Sequence, residues 1–155
     1  QSLALRDTLT FTHGDSGFAI DTNDPECPTG PPNLVWKAAQ PLWQAIGRRG
    51  EVSGVHVRLH KRVPAQAGLG GGSSDAAATL RGLCELWRVD PADVDLPALA
   101  RGLGADVAYF LAGGAALGVE RGDRLFPLQD ADPAWVVLAR PDFGVSTRDA
   151  YAWWD

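Results

Sequence analysis

The chain has 155 residues, 45% hydrophobic and 21% charged, with 14 basic and 19 acidic side chains that give a net charge of −5. This composition excludes disordered, collagen-like and coiled-coil proteins and is typical of one compact domain. The acidic balance argues against a nucleic-acid partner, and the sequence lacks the run of about 20 apolar residues that a membrane-spanning helix needs.

Two strands are predicted near the start of the chain. Polar and apolar residues alternate over residues 7–12, which places Leu9 and Phe11 on one face of a half-buried strand. A second, short strand is predicted over residues 18–20, and the two strands look antiparallel. Residues 21–32 are rich in Asp, Asn, Pro, Thr and Gly, a composition that predicts a loop.

A helix and the clearest strand of the chain follow this loop. Asn33 is a candidate N-cap, and apolar residues recur at helical spacing over residues 34–46. Pro41 removes one helical hydrogen bond, so a kink or a break is expected there. Residues 54–60 alternate strictly, with two valines and a leucine facing inward and two histidines facing outward. The histidines are about 13 Å apart at a rise of about 3.3 Å per residue, too distant for one metal.

The second half of the chain is predicted to contain two helices and two strands. Residues 73–87 carry an apolar stripe that predicts a helix. Residues 96–103 are predicted to form another helix, which Gly102 and Gly104 are expected to terminate because glycine readily adopts left-handed conformations. Residues 115–119 and 135–138 are predicted strands, separated by a turn around Gly122. Strands and helices mix without a regular β-α-β-α order. The predicted fold is therefore α+β, a two-layer sandwich of a mixed sheet and helices, rather than a doubly wound sheet.

Four of the six tryptophans are expected in the core because they fall on predicted apolar faces, namely Trp36, Trp43, Trp87 and Trp135. The other two, Trp153 and Trp154, are expected to pack on a C-terminal domain, with a partner-binding patch as the alternative.

The most informative segment is a glycine-rich loop between the strand at 54–60 and the helix at 73–87. It reads Val-Pro-Ala-Gln-Ala-Gly-Leu-Gly-Gly-Gly-Ser-Ser over residues 63–74. Glycines let backbone amides turn toward a ligand, and the following helix presents unpaired N–H groups at the positive end of its dipole. These features predict a phosphate site, to which Ser73 and Ser74 add hydroxyl groups. The alternative is a flexible connection in which one of the serines only caps the helix.

Two common phosphate loops do not fit this segment. A Walker A loop needs a lysine directly after its last glycine, but no lysine occurs between Lys61 and the end of the following helix. A dinucleotide fingerprint that begins at Gly68 and Gly70 needs a third glycine where this chain has Ser73.

The loop instead resembles the GHMP kinase superfamily and, within it, the 4-diphosphocytidyl-2-C-methyl-D-erythritol kinases, through its glycine triplet before Ser-Ser. Pro-Asn-Leu-Val at 32–35 is similar to that family's Asp-Asn-Leu segment, and Leu-Gly-Ala-Asp-Val at 103–107 is similar to its Leu-Gly-Ala-Asp-Val-Pro segment. Ala108 stands where the family usually has proline. The resemblance implies an ATP-binding N-terminal domain over residues 1–155. It also implies phosphorylation of the 2-position hydroxyl of 4-diphosphocytidyl-2-C-methyl-D-erythritol in isoprenoid precursor biosynthesis, with ATP and Mg²⁺ as cofactors.

The resemblance also implies roles for individual side chains. Asp106 would accept or orient the proton of the acceptor hydroxyl, whereas the residues alone suggest a capping or salt-bridging aspartate. Asn33 would contact the adenine and Lys61 would lie near the nucleotide, with a helix cap and a solvated strand end as the alternatives. No metal site made of protein side chains is predicted. The loop residues expected to bind ATP are Pro64, Ala65, Gln66, Ala67, Gly68, Leu69, Gly70, Gly71, Gly72, Ser73 and Ser74.

The same resemblance implies that the chain is a central fragment of a kinase. The family's Pro-Ala-Lys-like strand and Gly-Tyr-His segment do not occur in this sequence, which also has no methionine, and its C-terminal domain would follow Asp155. The lysine expected to stabilise the transferring phosphoryl group belongs to that first strand, so the 155-residue chain alone is expected to be inactive. We further expect a cytoplasmic monomer or weak homodimer in which Cys27 and Cys84 are free thiols. The alternatives are a mevalonate- or homoserine-type kinase, or a non-catalytic nucleotide-binding domain.

Overall fold

The computed structural model describes residues 2–65, 67–139 and 152–153. Among these residues, no helix combines the length and apolar character that crossing a membrane requires. The elements in chain order are β1 (Thr8–His13), β2 (Phe18–Thr22), α1 (Leu34–Ala45), β3 (Val55–His60), α2 (Gly71–Trp87), a 3-10 turn (Pro91–Asp93), α3 (Leu96–Leu103), α4 (Ala105–Ala112), β4 (Ala115–Val119) and β5 (Arg124–Leu128).

The first three strands form a mixed sheet in the order β1-β3-β2. β1 is antiparallel to β3, with Phe11 opposite Val57, and β2 is parallel to β3, with Ile20 opposite Val57. The two early strands therefore run in opposite directions, as predicted, but β3 lies between them. A parallel neighbour needs a crossover connection, which α1 provides between β2 and β3.

The helices cover this sheet and share one hydrophobic core with it. The inward positions predicted for β3, Val55, Val57 and Leu59, are all buried. α2 lies against β1 closely enough that a methyl group added at Gly82 would collide with the Phe11 ring. The expected α+β sandwich is confirmed. The largest fully buried side chains are Leu42, Leu59, Leu80, Leu83, Val35, Val55, Val57, Val107, Thr79 and Cys84.

α1 continues through Pro41 instead of breaking there. A proline in the helix interior removes one backbone hydrogen bond. The apolar face of α1 is buried on both sides of that position, at Ala38, Ala39 and Leu42, and this burial offsets the loss. The predicted N-cap is confirmed, since the Asn33 side-chain oxygen accepts a hydrogen bond from Val35 N at 2.9 Å.

Two predictions for the second half of the chain are wrong. β4 pairs with β5 (Arg124–Leu128) across the predicted turn, and residues 135–138 are not in a strand. Trp135 is fully exposed rather than in the core. β5 contains Pro127, which its place in a two-stranded sheet tolerates because an edge strand leaves some amides unpaired.

The other tryptophans and the cysteines agree better with expectation. Trp43 is buried, and Trp36 and Trp87 are partly buried against the core. Trp153 is exposed, whereas Trp154 lies outside the described residues. Both cysteines, Cys27 and Cys84, are free thiols, as predicted.

The end of α3 differs in its backbone from the prediction. Gly102 lies inside the helix, and Gly104 has φ of 163°, an extended conformation, so neither glycine is left-handed. Gly104 also serves as the N-cap of α4, a helix that the sequence analysis did not predict. Asp106 is therefore the second residue of α4.

Candidate active site

The glycine-rich loop turns into the first turn of α2. Gly68 and Gly70 have φ of +68° and +67°, a left-handed conformation that glycine adopts without a side-chain clash. The first helical hydrogen bond runs from Ser74 N to Gly70 O at 2.9 Å. The amides of residues 71–73 precede this bond and have no partner within the helix, as at every helix start. They are available to an anion such as phosphate.

Neither serine caps this helix, which corrects the alternative considered for the loop. α2 begins at Gly71, two residues earlier than predicted, with Gly70 as the N-cap residue and no side-chain cap. The Ser74 hydroxyl donates to Gly71 O at 2.7 Å, inside the first turn. Because the cap position lacks a polar side chain, the start of the helix is left open to a ligand.

A cavity of about 390 Å³ joins the loop to Asp106. Asp106 is exposed and lies in the first turn of α4, where the helix dipole favours a carboxylate. The N-terminal segment, which precedes β1, also lines this cavity. The lining residues are Ser2, Leu3, Leu5, Arg6, Val63, Gly68, Leu69, Gly70, Ser74, Asp106, Tyr109 and Phe110.

A larger cavity of about 1010 Å³ lies elsewhere, between α2, α3, α4 and β5. Neither the glycine-rich loop nor Asp106 lines it. We take the smaller cavity as the candidate active site. Of these two cavities, it is the one lined both by backbone that could bind a phosphate and by a carboxylate that could act as acid or base.

Lys61 lies beneath the loop in a buried ion triad, a cluster formed by Lys61, Asp7 and Asp75. The Lys61 Nζ atom is 2.5 Å from Asp7 Oδ2 and 2.8 Å from Asp75 Oδ2. The side chains of Lys61, Asp7 and Asp75 are only 9%, 2% and 4% exposed. Lys61 is therefore adjacent to the loop, but its ammonium group is already bound by two carboxylates rather than solvated.

Burial and hydrogen bonding shift the pKa values of the three groups in this triad to different extents. Burial raises the pKa of Asp75 to about 6, against the lowering effect of Lys61. Burial also acts to raise the pKa of Asp7, but hydrogen bonds from Arg62 N, Lys61 Nζ and Val63 N outweigh it, and the net pKa is lowered. For Lys61, the two carboxylates outweigh burial and raise the pKa of the ammonium group. The lysine and Asp7 are thus both charged at neutral pH, and Asp75 is the member closest to titrating.

The remaining predicted residues lie around the loop or apart from it. Asn33 is a buried helix cap whose Nδ2 atom donates to Pro28 O at 2.6 Å. Neither Asn33 nor Lys61 lines the cavity described above. Pro64, Ala65 and Ala67 precede the two left-handed glycines, and Gln66 lies outside the described residues. Among the described residues, no group of three or more His, Cys, Asp or Glu side chains could hold a metal ion.

Known proteins resemble this domain in sequence. Residues 33–114 match the protein family described as GHMP kinases N terminal domain. The chain belongs to the GHMP kinase family. This GHMP kinase domain is 51% identical over 131 residues to the 4-diphosphocytidyl-2-C-methyl-D-erythritol kinase of Deinococcus radiodurans, covering 84% of this chain and 43% of that protein. It is 41% identical over 155 residues to the kinase of the same name from Moorella thermoacetica, covering 100% of this chain and 53% of that protein.

Solved structures agree with these relatives. A crystal structure of 4-(cytidine 5'-diphospho)-2C-methyl-D-erythritol kinase matches with a TM-score of 0.64 and 45% identity, covering 79% of this chain and 41% of that chain. A homoserine kinase from Cytophaga hutchinsonii matches with a TM-score of 0.68 at 22% identity, covering 94% of this chain and 50% of that chain, which supports the fold. The resemblance inferred from the loop is confirmed. The chain spans about half the length of the curated relatives it matches.

Sequence reasoning missed two residues that line the candidate cavity, Arg6 and Phe110, and the two carboxylates of the neighbouring ion triad, Asp7 and Asp75. Asp75 carried a usable signal, because it lies on the same helical stripe as the buried Thr79 and Leu83. A carboxylate at a buried position requires a partner, which predicts a nearby cation. Arg6, Asp7 and Phe110 carried no such signal, because their neighbours in the fold are distant in sequence.

Proposed function

We propose that this domain binds MgATP and supplies the phosphate-binding loop and the acid–base carboxylate of a kinase. The proposed reaction is phosphorylation of the 2-position hydroxyl of 4-diphosphocytidyl-2-C-methyl-D-erythritol. The observation that carries the proposal is that the glycine-rich loop and Asp106 line one cavity. The names of the relatives, at 41% and 51% identity, support the acceptor.

The loop would bind the phosphates of ATP through its backbone. The free amides of residues 71–73 and the positive end of the α2 dipole favour negative charge at this position. Ser73 and Ser74 add hydroxyl groups beside the amides. Mg²⁺ would enter as part of the MgATP substrate and would neutralise charge on the phosphate oxygens. Bound in this way, it needs only one or two carboxylates from the protein.

Asp106 would act on the acceptor. As the acceptor oxygen attacks the γ-phosphorus, its proton moves to the Asp106 carboxylate, the bond between the γ-phosphorus and the β–γ bridging oxygen breaks, and ADP leaves. General-base assistance of this kind contributes about 10²- to 10⁴-fold to the rate. The exposed position of Asp106 in the cavity leaves its carboxylate free for this role.

Further predicted features belong to the same proposal. Asn33 would contact the adenine, and Lys61 would lie near the nucleotide with its ammonium group held by Asp7 and Asp75. The 155-residue chain would provide the nucleotide-binding part of the enzyme and be inactive alone, which its coverage of about half of each relative supports. We place the enzyme in the cytoplasm as a monomer or weak homodimer, in keeping with its free thiols.

The test is ATP-dependent phosphorylation by the protein at its natural length, with the cytidine substrate beside mevalonate and homoserine. Activity confined to the cytidine substrate supports the proposal. Activity on another alcohol would keep the kinase and discard the acceptor. ATP binding without activity on any of the three would instead indicate a non-catalytic nucleotide-binding domain.

A further inference from the structure

Arg6 is the one basic side chain among the described residues that line the cavity shared by the loop and Asp106. It is exposed, and none of the ion pairs within the described part of the chain involves it. Lys61, which lies just before the loop, has both of its carboxylate partners in place, and the exposed Arg62 does not line the cavity. Within the described part of the chain, the cavity is therefore lined by one arginine whose guanidinium group forms no ion pair.

The backbone at Arg6 is fixed because the next residue is anchored. Asp7 Oδ1 accepts hydrogen bonds from Arg62 N at 2.5 Å and Val63 N at 2.8 Å, and Asp7 Oδ2 accepts one from Lys61 Nζ. Lys61 in turn binds Asp75 in α2. These bonds tie the N-terminal segment to the start of the loop and to the helix that follows it. Arg6 therefore directly precedes a residue that is anchored to the start of the loop.

Phosphoryl transfer requires neutralisation of charge on the phosphate oxygens, and the loop itself has no lysine to provide it. A guanidinium group presents planar paired donors that match phosphate oxygens. We propose that Arg6 binds a phosphate group of a substrate in this cavity, a role that rests on the proposed kinase function. Two sources share this chemistry, the triphosphate of ATP and the diphosphate of the cytidine-linked acceptor.

The experiment compares Arg6→Gln and Arg6→Lys with Arg58→Gln in the protein at its natural length. Arg58 is an exposed arginine on β3 outside the cavity, so it controls for loss of surface charge. Arg6→Gln is expected to lower kcat/KM about ten- to a hundredfold, the effect of one hydrogen bond between charged groups. Arg6→Lys should recover part of this loss, and Arg58→Gln should leave kcat/KM unchanged.

The KM values identify the phosphate. A rise confined to the KM for ATP places Arg6 on the triphosphate, and a rise confined to the KM for the cytidine substrate places it on the diphosphate. If kcat/KM for both substrates stays within twofold of the unsubstituted protein, the proposal is wrong.

Failure of the kinase proposal would be visible separately, as absence of turnover in the unsubstituted protein. In that case calorimetric titrations with ATP, with inorganic tripolyphosphate and with the cytidine substrate decide the role of Arg6. At least tenfold weaker binding of any one of them by Arg6→Gln supports it, and equal binding of all three overturns it.

Discussion

Asp106 and Phe110 lie four residues apart on α4 and therefore share one face of that helix. The Phe110 ring lies against Gly70, since a Cβ atom added to Gly70 would be 2.6 Å from Phe110 Cε2. The same helix thus presents the proposed base to the cavity and supports the glycine-rich loop. The distance between the two is set by a packing contact rather than by a flexible connection.

Gly70→Ala should disrupt this contact and weaken ATP binding. The new methyl group would collide with Phe110, and the residue would remain at φ of +67°, which costs a non-glycine residue about 1–2 kcal/mol. Overpacking adds about 1–3 kcal/mol. We expect a lower melting temperature and a higher KM for ATP, measured by thermal unfolding and steady-state kinetics.

Gly68→Ala is the matched control, because Gly68 has φ of +68° but no atom within 4 Å of an added Cβ. Gly68→Ala should therefore lose only the stability that a left-handed backbone costs a non-glycine residue. Equal losses of stability in the two variants would contradict the role assigned to Phe110.

Asp106→Asn should lower kcat while leaving the stability of the fold almost unchanged. The carboxylate is exposed and makes no side-chain hydrogen bond within the described residues, so the melting temperature should change little, apart from about 0.3–1 kcal/mol of helix-dipole interaction. The proposed base role predicts a fall in kcat of about 10²- to 10⁴-fold with a nearly constant KM for ATP. Glu51→Gln, at an exposed position outside the cavity, should retain full activity. Full activity in Asp106→Asn would remove Asp106 from the mechanism.

The sequence predicts the elements whose apolar residues are periodic. β3 alternates strictly and α1 has a clear apolar stripe, and both occur close to their predicted bounds. α4 was missed because its eight residues are almost all apolar, and an unbroken apolar run has no period to detect. The start of α2 was predicted two residues late because Gly71 and Gly72 are poor helix formers.

The candidate site also has a part that the sequence predicts and a part that it does not. The glycine-rich loop is contiguous in sequence, so its proposed role in phosphate binding can be inferred from residue types alone. The buried ion triad joins residues that are 54 and 14 positions apart. No local pattern contains such pairings, because they arise only when β3, α2 and the N-terminal segment pack together. The strand predicted at 135–138 shows the opposite error, a strong local preference without a partner strand in the described residues.

Lys61→Met should be strongly destabilising. It would leave Asp7 and Asp75 buried without their shared cation, and removing one member of a buried ion pair costs about 3–5 kcal/mol. Chemical denaturation at pH 7 measures the loss. Arg124→Gln provides the comparison, since Arg124 and Glu120 form a pair whose side chains are each 65% exposed and should cost about 1 kcal/mol or less. Similar losses in both variants would show that the triad contributes no more than a surface pair.

Asp75 should make the stability of the domain depend on pH between about 4 and 6. Its pKa is about 6 in the folded protein because burial disfavours the carboxylate, against an ordinary value of 3.8 when unfolded. Between these values the folded state binds a proton that the unfolded state releases, so the free energy of unfolding rises as the pH falls through 6. The groups that face Asp75 are Lys61 and Asp7. Asp7 has a lowered pKa, so its own contribution is lost only below about pH 4.

Asp75→Asn should abolish this dependence. Between pH 7 and pH 4.5, the unsubstituted protein should gain on the order of 2 kcal/mol relative to the variant, since each pKa unit corresponds to about 1.4 kcal/mol. Urea denaturation of both proteins at several pH values gives the difference directly. Parallel curves for the two proteins would show that Asp75 is ionised throughout this range and that Lys61 compensates fully for its burial.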